Sequence, residues 1–362
     1  MSNKTIPSGL GATPESFGSL GLKQDGIEAR EDGFRTGGAV GTYEWWYFDS
    51  HMDDGTNLVI VFYTKRMMLP GKPLTPYATI DLDTADGKHF EERVEIADIP
   101  FAASKDSCDV KIGDCYIKGD LHKYEIRFKN DVVEAKATLT ANVPPWRPKT
   151  GHILFGERDE QYFAWLPSVP EGSVTAEITL GGKTTAHKGT GYHDHNWGNT
   201  LMTKLMHHWY WGRAKIGDYQ IIASYITGEK KYGYKTYPIF MLAKNGKIIA
   251  DDGAKLIYTQ EEPYFEETTG KTVYNRLVYD YRDNGEGFRV IFSRKKSLIN
   301  FKMIDQLKGV VKLAAKAIGF SGAYHRFFGD VTVERFENGD LKESVTGQAI
   351  WELMYFGKNI LS

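Results

Sequence analysis

Residues 189–198 read Gly-Thr-Gly-Tyr-His-Asp-His-Asn-Trp-Gly, so Tyr192, His193, Asp194, His195 and Asn196 form five consecutive side chains that hydrogen-bond or titrate. Extended backbone sends alternate side chains to opposite faces. Tyr192, Asp194 and Asn196 would then share one side, with His193, His195 and Trp197 on the other. Either face offers a carboxylate or imidazole that apolar surroundings push toward a near-neutral pKa, which is what general acid–base catalysis needs. Asp194, His193 and His195 are the candidate catalytic groups on this run, with Tyr192, Asn196 and Trp197 beside them as substrate contacts. A buried polar knot tying two domains together accounts for the same residues, and the spacing leaves both readings open.

A second run, Glu44-Trp45-Trp46-Tyr47-Phe48-Asp49, alternates in the same way. Glu44, Trp46 and Phe48 fall on one face and Trp45, Tyr47 and Asp49 on the other, so either face carries one carboxylate among aromatic rings. Such a setting suits carbocation or polarised-polyene chemistry. Ring faces stabilise positive charge, and a shielded acid such as Glu44 can donate a proton. Trp45, Trp46 and Tyr47 are the expected walls of that site. Trp209, Tyr210, Trp211 and Arg213 repeat the pattern later in the chain, and Trp165 is a weaker member of the set.

Four imidazoles, in the pairs His193/His195 and His207/His208, raise the question of a metal. No cysteine or carboxylate stands at a ligand spacing beside them, and adjacent histidines on a strand point apart, so neither metal nor other cofactor is expected. The chain also lacks a G-x-S-x-G elbow, a P-loop and a dinucleotide fingerprint, the usual apparatus of acyl, phosphoryl and hydride transfer. Gly285-Glu286-Gly287 belongs to a hairpin.

The elements that must hold these residues are strands. Asp54-Gly55, Asp86-Gly87, Gly113-Asp114, Gly181-Gly182, Asn245-Gly246, Asn284-Gly285 and Asn338-Gly339 are all hairpin dipeptides. Between them, sequences such as Tyr124, Ile126 and Phe128 interleaved with charged residues show the period of two of a half-buried antiparallel strand. The order of features around Trp45–Trp46 recurs around Trp209–Trp211, each followed by a turn, a strand, a Tyr-Pro or Pro-Tyr pair and a further hairpin. This suggests a duplicated barrel. The expected division is an irregular lead-in over 1–40, one β-barrel over 41–200 and a second over 201–362. One stretch departs from the strand period. Residues 301–318 place Met303, Ile304, Leu307, Val310, Val311, Ala314 and Ile318 on one helical face and four lysines on the other. That amphipathic helix would close a barrel end or, as the second choice, make a peripheral membrane contact.

Composition narrows the partners. With 45 basic and 47 acidic residues the net charge is −2, and nothing in it suggests a nucleic-acid partner, so none is expected. Twenty-one Tyr, 19 Phe and 8 Trp favour an aromatic-lined cavity for an apolar small molecule. No run of 18 apolar residues predicts a transmembrane segment, and no secretory h-region precedes the first glycines, so a cytoplasmic location is expected. If Gly113-Asp114 is a two-residue turn, Cys108 pairs with Gly119 across the hairpin, and Cys108 and Cys115 stay reduced.

These residues together resemble the carotenoid 1,2-hydratase (hydroxyneurosporene synthase) and AttH-like superfamily. The resemblance rests on Glu44-Trp45-Trp46-Tyr47, Phe163-Ala164-Trp165, residues 191–198 and Trp209-Tyr210-Trp211-Gly212-Arg213-Ala214, and covers most of 40–215. It implies an all-β fold of two tandem lipocalin-like antiparallel barrels with a ligand cleft between them. It also implies cofactor-free chemistry on isoprenoid or polyene substrates, and relatives include fungal Diels–Alderases. Tyr210 stands where carotenoid hydratases carry His, which weighs against carotenoid hydration itself. Three functional classes follow: a hydratase, cyclase or isomerase acting by general acid protonation, a pericyclase acting by confinement, and a non-catalytic lipid carrier.

Overall fold

The seven turn dipeptides do what their residue types allow. In the computed structural model each separates two antiparallel strands. At Asn284-Gly285 and Asn338-Gly339 both residues adopt positive φ, the conformation of a type I′ turn that asparagine and glycine tolerate. The structure describes residues 4–359 except 318, with backbone alone at 310, 311, 314 and 315.

The described chain is nearly all β and forms two antiparallel sheets, one of 13 strands and one of nine, each curled around its own core. Residues 9–201 make one compact unit; residues from 202 onward, with the segment up to Ser8, make the other. The path through the two sheets is alike. In the first, Tyr43–Met52 opens a meander and pairs with the unit's last strand, Lys183–Gly198. In the second, Met206–Ile216 opens the meander and pairs with the last strand, Asp340–Tyr355. The Trp45–Trp46 and Trp209–Trp211 motifs thus occupy matching positions in two sheets of matching order, as a duplication requires.

Cys108 lies opposite Gly119 in its hairpin, and both cysteines are free and buried. Two local expectations are corrected. The described part of the lead-in, residues 4–40, contains a strand at Ser8–Leu10, a helix at Pro14–Leu20 and a 3-10 turn at Ala29–Asp32. The signals were present: the Thr13 hydroxyl caps the Ser16 N–H at 3.2 Å, proline opens the helix, and Gly21 closes it at φ 65°. The helix expected over 301–318 is shorter. Strand pairing with Ala323–Glu337 carries Glu286–Lys302 through Phe301, a 3-10 turn follows, and the helix occupies Gly309–Ala317. Ladder hydrogen bonds outcompete helical periodicity for those first residues. The side chains of Val310, Val311, Ala314 and Ile318 lie outside the described residues. Among the described residues no helix is long and apolar enough to cross a membrane.

Candidate functional site

The ladder between Tyr43–Met52 and Lys183–Gly198 decides which predicted residues meet. Trp46 lies opposite His195, Tyr47 opposite Asp194, and Asp49 opposite Tyr192. Gly191–Gly198 is buried throughout, so this strand is covered on both faces rather than alternating. The faces divide as the period of two demands, and they have different chemistry.

The face turned into the barrel core carries Glu44, Trp46, His193, His195 and Trp197. His193 reaches the Tyr47 carbonyl through Nδ1 at 2.8 Å and Asp32 Oδ2 through Nε2 at 3.1 Å. Both partners are acceptors, so making both bonds requires a proton on each ring nitrogen. Burial works against that charge, but the neighbouring Asp32 carboxylate outweighs it and raises the His193 pKa. Burial likewise opposes the Asp32 charge, and His193 more than offsets it, so the Asp32 pKa is lowered. His195 pairs with Glu44 Oε1 at 2.8 Å and stacks on Trp46 with centroids 4.7 Å apart. Glu44 also accepts the Arg35 and Thr36 amides at 2.6 and 2.8 Å and the Thr36 hydroxyl at 2.7 Å. Trp46 Nε1 donates to the Asp32 carbonyl at 2.9 Å, and Arg147 Nε binds Glu31 Oε2 at 2.7 Å.

This network clamps residues 28–36 against the barrel wall. It places the candidate acids and bases Glu44, His193 and His195, with the candidate wall residues Trp46 and Trp197, on the face that holds the N-terminal segment. Glu44, His193, His195 and Trp46 have no exposed surface, and their polar atoms bond one another, the Tyr47 carbonyl and the N-terminal segment. The polar network on this face joins the lead-in to its own barrel. Glu31 and Asp32 were not found from sequence because they lie more than 100 residues from their partners His193 and Arg147.

One cluster here has the composition of a metal site, with ligand atoms of Asp32, Cys108 and His193 all within 4.8 Å of one another. Two arguments favour the hydrogen-bonded arrangement. Asp32 and His193 are already bonded to each other, and burial holds the Cys108 thiol far above its usual pKa, away from the thiolate a metal needs.

The opposite face carries Trp45, Tyr47 and Asp49 beside Tyr192, Asp194 and Asn196, with Phe163 and Trp165 on the next strand. Asp194 Oδ2 accepts the Tyr192 hydroxyl and the Trp165 indole N–H, each at 2.7 Å, and Oδ1 accepts the Asn196 amide at 2.7 Å. These donors favour the carboxylate, but desolvation outweighs them and the pKa is pushed up to about 6. Trp146 stands edge-on to Trp165 at 6.2 Å, and Trp45 packs near Phe163 at 6.4 Å. Trp45 and Tyr47 are half-buried and present ring surface outward. Here a titratable acid is held by a hydroxyl, an indole and an amide inside an aromatic frame, the combination general acid catalysis calls for.

In the second unit the motif also splits by face. Trp209, Trp211 and Arg213 are half-buried on the side away from the core, with Trp209 edge-on to Phe356 at 5.3 Å. Tyr210, one of the candidate substrate contacts, points inward and packs in the core of its unit. A depression of about 540 Å³ on the first unit, lined by Tyr116, Glu125, Lys136, Glu177 and His187, contains none of the predicted site residues. Its open, alternately charged surface does not suit an apolar ligand.

A family model described as Diels-Alderase-like matches residues 39–322. Among curated proteins, the quinolone epoxide rearrangement protein asqO of Emericella nidulans is 24% identical over 331 residues, covering 83% of this chain and 84% of that one. Among solved structures, CghA with Sch210972 superposes with a TM-score of 0.57 at 14% identity, over 87% of this chain and 89% of that one. A putative AttH from Nitrosomonas europaea gives 0.58 at 16% identity, over 92% and 98%. These two structures share the fold.

Proposed function

The chain belongs to the Diels-Alderase-like family, and from that premise we propose that it is a cofactor-free enzyme of secondary metabolism that rearranges or cyclises an apolar substrate by acid catalysis from Asp194. The observation that carries this reading is the Asp194 carboxyl itself. It is buried among Trp165, Tyr192 and Asn196 with its pKa pushed up to about 6, so a fraction of it still carries a transferable proton as the pH approaches neutral. Trp45 and Tyr47 supply ring faces to positive charge that develops as the proton moves.

The name of asqO, a quinolone epoxide rearrangement protein, supports a strained oxygen as the group protonated. Protonating an epoxide oxygen turns it into a good leaving group, and a dry aromatic surface delays capture of the cation by water. The family description favours one other reading, a pericyclase that only holds a polyene in its reactive shape and needs no acid.

The test is turnover of a quinolone epoxide by wild type and Asp194→Asn. Loss of the acid lowers kcat by about 10²–10⁴-fold with KM little changed. A variant that keeps most of its rate contradicts acid catalysis and favours confinement.

A further inference from the structure

We propose that Asn196 sets the substrate specificity of this site: its side-chain carbonyl takes a hydrogen bond from an N–H or O–H group of the substrate, beside the oxygen that Asp194 protonates. This rests on the reading just given and adds a requirement to it. The preferred substrate is a ring compound with its own N–H or O–H donor, and a plain hydrocarbon polyene is a poor one.

The first observation is how the Asp194 carboxyl is occupied. Oδ2 has two lone-pair directions, and the Tyr192 hydroxyl and the Trp165 indole fill both at 2.7 Å. The acid proton is therefore carried on Oδ1, whose partner is the Asn196 amide at 2.7 Å. A group protonated by Asp194 lies on the Oδ1 side, next to Asn196.

The second is what that contact does to Asn196. Its nitrogen is committed to an acceptor, so the planar amide fixes its carbonyl oxygen within about 5 Å of Asp194 Oδ1. No hydrogen bond reaches this oxygen from any described residue. Asn196 is only 5% exposed. Among the described residues of this unit, the side-chain polar atoms both without a partner and sealed from solvent are Asp32 Oδ1 and the Tyr43 and Ser50 hydroxyls. The Asn196 oxygen is not one of them, so it is a partnerless acceptor at an opening. An acceptor placed there favours a ligand that brings a donor and penalises one that covers it with apolar surface.

The third is the setting. Across three neighbouring strands Trp45, Asn196 and Trp165 stand in one row, with Asn196 in the middle. The Trp165 N–H is spent on Asp194, and Trp45 is half-buried. The row gives a planar ring system indole surface to pack on and a fixed acceptor for its donor.

The experiment uses the full chain and two pairs of probes of equal shape. One pair is a quinolone epoxide with its ring N–H free and the analogue with oxygen in place of that N–H. The other is the same pair without the epoxide, used to measure Kd by calorimetry without turnover. Wild type favours the N–H member about 10–10²-fold in Kd and in kcat/KM. Asn196→Leu, an apolar side chain of similar size, brings both ratios close to one. A wild-type ratio near one, a ratio unchanged in Asn196→Leu, or binding of neither quinolone overturns the proposal.

Wild type alone supplies a second readout, which stands even if Asn196→Leu does not fold. A carbonyl that accepts a hydrogen bond polarises its own amide, so the Asn196 side-chain N–H resonances move downfield with the N–H quinolone and less with its ring-oxygen analogue. Equal shifts overturn the proposal. The acid reading is decided separately, by turnover in Asp194→Asn. Discrimination between probes with an active Asp194→Asn removes the acid and keeps the role of Asn196; an inactive Asp194→Asn with no discrimination does the reverse.

Discussion

Asp194→Asn should stabilise the protein at pH 7.5 and leave it unchanged at pH 4. The ordinary carboxyl value is 3.8 and the folded value is about 6, so the folded state holds this proton more tightly than the unfolded chain does. The contribution of Asp194 is therefore most favourable below pH 3.8 and is lost as pH rises through about 6. By pH 7.5 the forced ionisation costs about 3 kcal/mol, the gap expressed at about 1.4 kcal/mol per pH unit. Asparagine removes the charge and nearly keeps the shape. Its carbonyl can take the place of Oδ2 before Tyr192 and Trp165. Its amide replaces Oδ1 opposite Asn196, whose own amide turns over to present an oxygen.

Asparagine stands in for the protonated carboxyl, whose hydrogen bonds are already neutral ones, so the gain is the full cost of the ionisation, about 3 kcal/mol. For a unit of this length that corresponds to a rise in Tm of about 6–12 °C. Differential scanning calorimetry of wild type and variant at the two pH values measures it, following the transition of the unit that contains residue 194. A residue kept for chemistry at the expense of stability behaves in this way. A fall in Tm of similar size at both pH values would refute the reasoning and mark Asp194 as a structural carboxylate.

Two further outcomes concern the opposite face. Asp32→Asn leaves a buried imidazole without its counter-charge and should destabilise by about 3–5 kcal/mol. Because the Asp32 pKa is lowered and the His193 pKa is raised, the pair contributes fully between about pH 4 and 6.5. Its contribution fades as pH falls through the Asp32 value or rises through that of His193. Melting curves at pH 5.5 and 9 should show the larger deficit at pH 5.5, and an equal deficit at both would contradict the pairing. Chelation followed by elemental analysis should leave the melting temperature unchanged; stoichiometric transition metal whose removal unfolds the protein would reassign Asp32, Cys108 and His193 as ligands.

What was readable in the chain was local. Glycine and asparagine at the turns, the period of two between them, and the repeated tryptophan motif are short-range properties, and the two curled sheets follow from them. The same period divided Tyr192, Asp194 and Asn196 from His193, His195 and Trp197, and it set Trp45, Tyr47 and Asp49 apart from Glu44, Trp46 and Phe48. Alternation says that two faces exist. It does not say which of them a distant segment will cover.

That choice belongs to tertiary structure. Asp32 comes from a 3-10 turn some 160 residues before His193, and its arrival turns one face into a sealed ion-paired anchor. Trp165, from the neighbouring strand, reaches Asp194 and completes the other face. The strand that runs on through Phe301, where helical periodicity pointed elsewhere, was settled by its partner at Ala323–Glu337 in the same way. A side chain's protonation state and accessibility depend on everything within a few ångströms, and most of those neighbours are far away in sequence. Residue types and spacing therefore named the groups, and long-range packing decided which of them anchor the N-terminal segment and which stand on the opposite face.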